Sequence, residues 1–246
     1  MNWIHGLPAL ALVLLAGTLK AEPLMVVSEP WPPYVFLEEG KLRGIDFEVS
    51  DKLLRELGYQ PQWRMMPWKR AQHEVLSGKA DAILDISANP ERVTQYHFPA
   101  EPLSLSETVL FYRNSHPFPY NTLDNLRGLR IGVSAGYIYA NPDFMQASFF
   151  QRELAPSIEA NLLMLQHGRV DMSVVNRRAG LYTLHRLGLS DQISFNPEPL
   201  SSGPVYLAFQ RRPAMAVLAK RFSDALIQFK QTDDYRQLMA QYGQPH

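Results

Sequence analysis

The residue pattern predicts an α/β protein of two lobes joined by two crossing strands. Three observations carry this prediction. From Leu24 to Ile86, apolar strand-like runs alternate with amphipathic helices in a βαβαβ series, the signature of a parallel sheet with helices on its faces. After Tyr112 the same alternation starts again. Two further strand-like runs, 108–112 and 205–209, stand where a chain would pass between two such units.

The elements follow in order. Leu24 to Ser28 reads as a short apolar strand ending in Glu29-Pro30-Trp31-Pro32-Pro33-Tyr34, where three prolines restrict the backbone and stop any helix. Asp46 to Leu57 is helical, with apolar residues at Phe47, Val49, Leu53, Leu54 and Leu57, Asp46 as expected N-cap and Gly58 just past the end. Gln62 to Met66 reads as strand, Trp68 to Leu76 as helix closed by Gly78, and Ala80 to Ile86 as a buried strand. In the second unit Leu129 to Val133 and Val170 to Val175 are strand-like, and Ile193 to Phe195 is a short strand. The stretches near Asp143 to Leu154, Ile158 to His167 and Arg178 to Leu187 read as helices. Met215 to Phe229 and Asp234 to Tyr242 close the chain as amphipathic helices. The expected division is an export segment over 1–21, lobe one from 22–110 and 203–246, and lobe two from 111–202.

Composition narrows the class. The chain has 246 residues, 46% hydrophobic and 20% charged, with zero formal net charge, so no basic excess points to nucleic acid. Gly6 to Leu19 is an apolar run of signal-peptide length, with a cleavage site after Ala21, although its flank lacks Lys and Arg. There is no cysteine, hence no disulfide framework, thiol nucleophile or lipid-anchoring cysteine. The expectation is a soluble, monomeric periplasmic protein.

A series of short motifs carries a family resemblance. Pro30-Trp31-Pro32-Pro33-Tyr34 is followed by Gly44-Ile45-Asp46-Phe47-Glu48, then Gly78-Lys79-Ala80-Asp81-Ala82, then Pro90-Glu91-Arg92 with Phe98. Leu126 to Val133 with Gly136, Gly168-Arg169-Val170-Asp171, Thr232-Asp233-Asp234-Tyr235 and Tyr242-Gly243 complete it. In this order the motifs resemble the bacterial extracellular solute-binding proteins of the polar-amino-acid type, the periplasmic receptors of ABC importers. The resemblance implies the two-lobed periplasmic-binding-protein (Venus flytrap) fold with two hinge strands. It also implies capture of a small solute, an inner-membrane ABC permease as partner, and no cofactor.

The resemblance also assigns roles. Arg92 corresponds to the arginine that grips the ligand carboxylate, a two-pronged geometry a guanidinium suits. In the loop before it, Ser87 is expected to donate a hydrogen bond. Asp85 would repel a carboxylate there, unless it faces a ligand amine or pairs with Arg70 or Arg92. In lobe two Asn176 stands where the family carries an aspartate for the α-ammonium; an amide can accept that hydrogen bond but supplies no charge. Trp31, Tyr34, Trp68, Tyr137 and Tyr139 are candidate ring walls, at least two of them ordinary packing residues, and Gly136 marks where lobe-two amides meet the ligand. Arg70 is either a second anion contact or a surface ion pair.

Other chemistries find less support. The seven histidines are scattered without metal-ligand spacing, and no Walker A loop or G-x-S-x-G elbow is present. A dehydratase of the same fold, acting on cyclohexadienyl substrates, would need an acid over the substrate ring, with Asp85 and Glu101 as its candidates. A ligand-sensing receptor for a membrane signalling partner is the third reading.

Overall fold

The computed structural model describes residues 21–135, 137 and 139–243. Residues 1–20 of the expected export segment and the expected contact at Gly136 lie outside the described residues.

The chain opens with strand β1 (Glu22–Ser28), the hairpin β2 (Phe36–Glu38) and β3 (Lys41–Arg43), helix α1 (Ile45–Glu56), β4 (Tyr59–Met65), α2 (Trp68–Leu76) and β5 (Ala82–Ser87). A single turn, α3 (Arg92–Gln95), and the short β6 (Tyr96–His97) lead into the long β7 (Ser104–Arg113). The second unit holds β8 (Arg130–Ser134), α4 (Pro142–Gln146), β9 (Gln151–Ala155), α5 (Ile158–Gln166), β10 (Met172–Asn176), α6 (Arg177–Leu187) and β11 (Ile193–Phe195). β12 (Ser201–Gln210) returns to the first unit, and α7 (Pro213–Phe229) and α8 (Asp233–Gly243) pack at the end.

The main sheet runs β4-β1-β5-β12-β7-β10-β8-β9. Within each half the strands are parallel: β1 with β4 and β5, β8 with β9 and β10. At the centre β12 and β7 pair antiparallel, Ser201 opposite Thr108 and Val205 opposite Ser104. Both faces of each half are covered, so pleat alternation sends neighbouring residues into different cores. Leu24 and Val26 of β1 join the core under α1 and α7, while Val27 joins the one under α2. In the second half Leu110 and Val174 pack with Phe144 and Phe150, whereas Val109, Phe111 and Val175 pack under α5 and α6. The result is a two-lobed α/β molecule, and each large buried side chain, Phe209 or Phe222 for instance, stabilises it by roughly 1.5–3 kcal/mol.

Three local expectations are corrected. The stretch expected as one helix near 143–154 is the short α4 followed by β9, which pairs parallel with β8 along its whole length. The hairpin β2–β3 was not expected; it turns through Glu39 (φ 50°) and Gly40 (φ 77°), the left-handed pair that two-residue hairpins require. Asp46 is not the N-cap of α1. The helix starts at Ile45 behind Gly44, and its leading amides bond backbone carbonyls, Ile45 to Pro33 at 3.0 Å and Asp46 to Tyr34 at 3.1 Å. Asp46 is buried instead, its carboxyl accepting from Ser104 Oγ at 2.7 Å.

Candidate ligand-binding site

β5 delivers the first site residues. It pairs with β12 through a bulge: Ile86 faces Tyr206 and Ile83 faces Ala208, so two residues of β5 oppose one of β12. Asp85 sits in the bulge at φ 63°, a left-handed conformation that non-glycine residues rarely adopt. The slip explains why Ile83 and Ile86, three apart, share one core. It also turns Asp85 inward. Both its carboxylate oxygens are buried and find no N–H or O–H donor among the described residues. The group it meets is the Asp46 carboxyl, and two carboxyls in contact hydrogen-bond only by keeping a proton. Burial, then the charge of Asp46, raises the Asp85 pKa well above the usual carboxylate range; burial also raises the Asp46 pKa, opposed by its hydrogen bonds with Asp85 and Ser104 and by the charges of Lys230 and Arg178. The expected pairing of Asp85 with Arg70 or Arg92 is therefore corrected; its partner is Asp46.

Beyond the bulge the loop closes on α3. Asn89 Oδ1 accepts the Arg92 amide at 2.7 Å, and Arg92 Nη1 donates to Ser87 O at 3.0 Å and Ser87 Oγ at 2.9 Å. Arg92 also lies over the Trp68 ring at 6.0 Å. Among the described residues its Nε and Nη2 have no acceptor and it forms no ion pair. Burial lowers its pKa, the cost of a half-buried cation without a counter-ion. Arg70 points elsewhere: it is largely exposed, 3.8 Å from Glu74 on its own helix, and does not line the cavity. The reason is position, since α2 carries Arg70 on its outer face while Ala71 and Val75 face the core.

The proline-rich loop is rigid by construction. Trp31 and Val35 close a tight turn, Trp31 N to Val35 O at 2.6 Å, and the turn docks on the α1 N-terminus. Gly44 is required at that contact: its φ is 125°, and a Cβ would stand 2.3 Å from Tyr34 O. The Trp31 ring stacks on Tyr34 at 4.2 Å. Tyr34 is fully buried and donates to Asn176 Oδ1 at 3.4 Å, so it backs Trp31 and bridges to the other half rather than lining the cavity.

On the far side the Tyr139 hydroxyl accepts the Ser134 N–H at 2.9 Å. Asn176 is occupied on both ends. Its Oδ1 accepts from Ala179 N at 3.0 Å, capping α6, and from Tyr34; its Nδ2 donates to Ser106 Oγ at 3.1 Å. Asn176 lines the cavity, but in this arrangement both lone-pair directions of its oxygen are engaged within the protein.

A cavity of about 170 Å³ lies between the halves, lined by Trp31, Trp68, Asp85, Ser87, Arg92, Tyr137, Tyr139 and Asn176 from the expected set. Tyr34 and Arg70 are outside it. Sequence reasoning missed Ser106, Thr108 and Ser201 of the two central strands and, above all, Glu29 at the end of β1. Glu29 Oε2 accepts from Trp68 N at 3.3 Å, and burial raises its pKa. A larger cavity, about 830 Å³, is lined by Arg43, Arg177, Arg178 and Arg186; Arg43, Arg177 and Arg186 pair with Glu38, Glu48, Glu107 and Glu159, while the buried Arg178 Nη1 has no hydrogen-bond partner among the described residues. The smaller cavity is the candidate site: it lies beyond the carboxyl ends of β1 and β5, where open α/β sheets bind ligands. Among the described residues no group of three or more His, Asp or Glu side chains is placed to hold a metal ion, and no helix is long and apolar enough to cross a membrane.

Comparison with known proteins agrees with the two-lobed fold. The sequence profile of the bacterial extracellular solute-binding proteins, family 3, matches residues 24–245. The probable amino-acid-binding protein YxeM of Bacillus subtilis (strain 168) is 22% identical over 217 residues, 85% of this chain and 79% of that protein. A histidine kinase sensor domain with similarity to periplasmic binding proteins superposes with a TM-score of 0.79 at 22% identity, over 91% of this chain and 96% of that one. An ancestral arginine-binding protein bound to arginine gives 0.76 at 20% identity, over 91% and 99%.

Proposed function

The chain belongs to the bacterial extracellular solute-binding proteins, family 3, and on that footing we propose that it captures a small carboxylate-bearing, amino-acid-like solute in the periplasm and hands it to an ABC permease. The observation that supports this reading is the Arg92 guanidinium, which lines the cavity, is anchored by Ser87 and forms no ion pair among the described residues. A carboxylate arriving there gains charge-assisted bonds to Nε and Nη2 that no protein group supplies. Trp31, Trp68 and Tyr137 offer ring faces for the rest of the solute. Lobe one, residues 22–110 and 203–246, would close on lobe two, residues 111–202, about the central strands β7 and β12, a hinge motion around a bound ligand. The likeness to the probable amino-acid-binding protein YxeM supports the solute class. The protein works as a monomer and releases its solute unchanged.

A thermal-shift screen over amino acids, opines, polyamines and small organic acids tests the reading, since a specific ligand raises apparent stability by mass action. A shift confined to carboxylate-bearing solutes is expected; a shift confined to polyamines would overturn it. Incubation with prephenate or arogenate is expected to leave both unchanged, and formation of product would replace binding by catalysis.

A further inference from the structure

We propose that Glu29 is the cation-holding residue of the cavity, and that the solute therefore carries a protonated amine together with its carboxylate. The inference rests on the solute-binding reading above and goes on to say where the ligand's positive charge is held.

Elimination leads there. The acidic side chains lining the cavity are Glu29 and Asp85. Asp85 has turned both oxygens into the protein against Asp46. Asn176 has spent its carbonyl oxygen on the α6 cap and on Tyr34. Of these, Glu29 keeps a carboxylate oxygen available: Oε2 accepts from Trp68 N, and among the described residues Oε1 has no donor and the residue forms no ion pair. A half-buried carboxylate without a counter-ion is costly, and a ligand cation removes that cost.

The topology supports the same placement. Glu29 follows β1 and Arg92 follows β5, and β1 and β5 are adjacent parallel strands. Neighbouring strands in a sheet stand about 5 Å apart, with Val27 opposite Ile83, yet Glu29 and Arg92 do not pair with each other. They present opposite charges to one small cavity, with Trp31, Trp68 and Tyr137 beside them. A zwitterion fits that arrangement, its carboxylate on Arg92 and its ammonium on Glu29. The ring faces add attraction for the ammonium. Ammonium recognition then lies wholly on the β1–β5 half, with none demanded of Asn176.

The test compares matched probes by thermal shift and isothermal titration: L-phenylalanine with 3-phenylpropionate, L-glutamate with glutarate, L-leucine with 4-methylpentanoate, and L-cystine with 3,3′-dithiodipropionate. Only members with an ammonium are expected to bind. Glu29→Gln should weaken the best of them at least tenfold, with circular dichroism confirming the fold, and Glu29→Asp should recover part of the loss. If a deaminated acid binds as tightly as its amine partner, the Glu29 assignment falls while solute capture at Arg92 stands. If affinity in Glu29→Gln is unchanged, the assignment falls as well. If no probe of either kind binds and polyamines do, both readings fall together.

Discussion

At the scale of single residues, the site is a set of charges that the protein does not neutralise by itself. Arg92 is held by Ser87 and left without a carboxylate. Asp85 is buried against Asp46, and burial and then that neighbouring charge raise its pKa well above the usual carboxylate range. This has a consequence for stability. The folded-state pKa of Asp85 lies above its unfolded value, so between the two the folded protein binds more protons than the unfolded chain. Stability therefore falls as pH rises from about 4, the unfolded carboxylate value, towards the folded one. Asp85→Asn removes that titration and is expected to raise stability at pH 7 by roughly 1–3 kcal/mol, with a smaller effect at pH 4. Urea denaturation midpoints at the two pH values check it; a loss of stability at pH 7 would contradict it. Arg92 and Ser87, which line the cavity, were reached through the family resemblance that Pro90-Glu91-Arg92 helps to carry. Glu29 was not, because a glutamate in a proline-rich loop resembles any surface residue until β1 is seen beside β5. Asp46 was misread because an aspartate before an apolar periodic run has the sequence signature of a cap, and only the fold shows its carboxyl turned inward onto Ser104.

At the scale of elements, the site depends on two backbone devices. One is the bulge in β5, which re-aims Asp85. The other is the turn from Trp31 to Val35, seated on the first amides of α1. Gly44 is the pivot of the second device, so Gly44→Ala is expected to cost about 1–3 kcal/mol through its backbone strain, with a further loss from the clash with Tyr34 O. It should also weaken solute binding, because Trp31 moves with the turn; unaltered stability and affinity would show that the turn is not held this way. Most elements were legible from the sequence, since α2 and β11 fall where periodicity placed them. The exceptions are physical. β9 is an edge strand of mixed polar residues with no period-2 apolar face. The β2–β3 hairpin turns on Glu39-Gly40, a pair outside the usual Asn-Gly and Asp-Gly signals.

At the scale of the whole molecule, two parallel half-sheets meet at β7 and β12, and the candidate cavity lies between the halves. The halves already touch at Tyr34–Asn176, 3.4 Å, and at the Phe36–Tyr182 ring pair, 5.3 Å. A ligand bridging Arg92 and the opposite wall favours the closed arrangement by its differential affinity for it. Small-angle scattering should then show a smaller radius of gyration with solute than without; an unchanged value would argue against hinge closure. The central claim is that a solute carboxylate is held by Arg92. Isothermal titration of the best solute from the thermal-shift screen, against the wild-type protein and Arg92→Ala, tests it most directly. The expected result is a loss of at least tenfold in affinity, since a charge-assisted bond is worth about 1.5–3 kcal/mol. Equal affinity of the two proteins would contradict the claim.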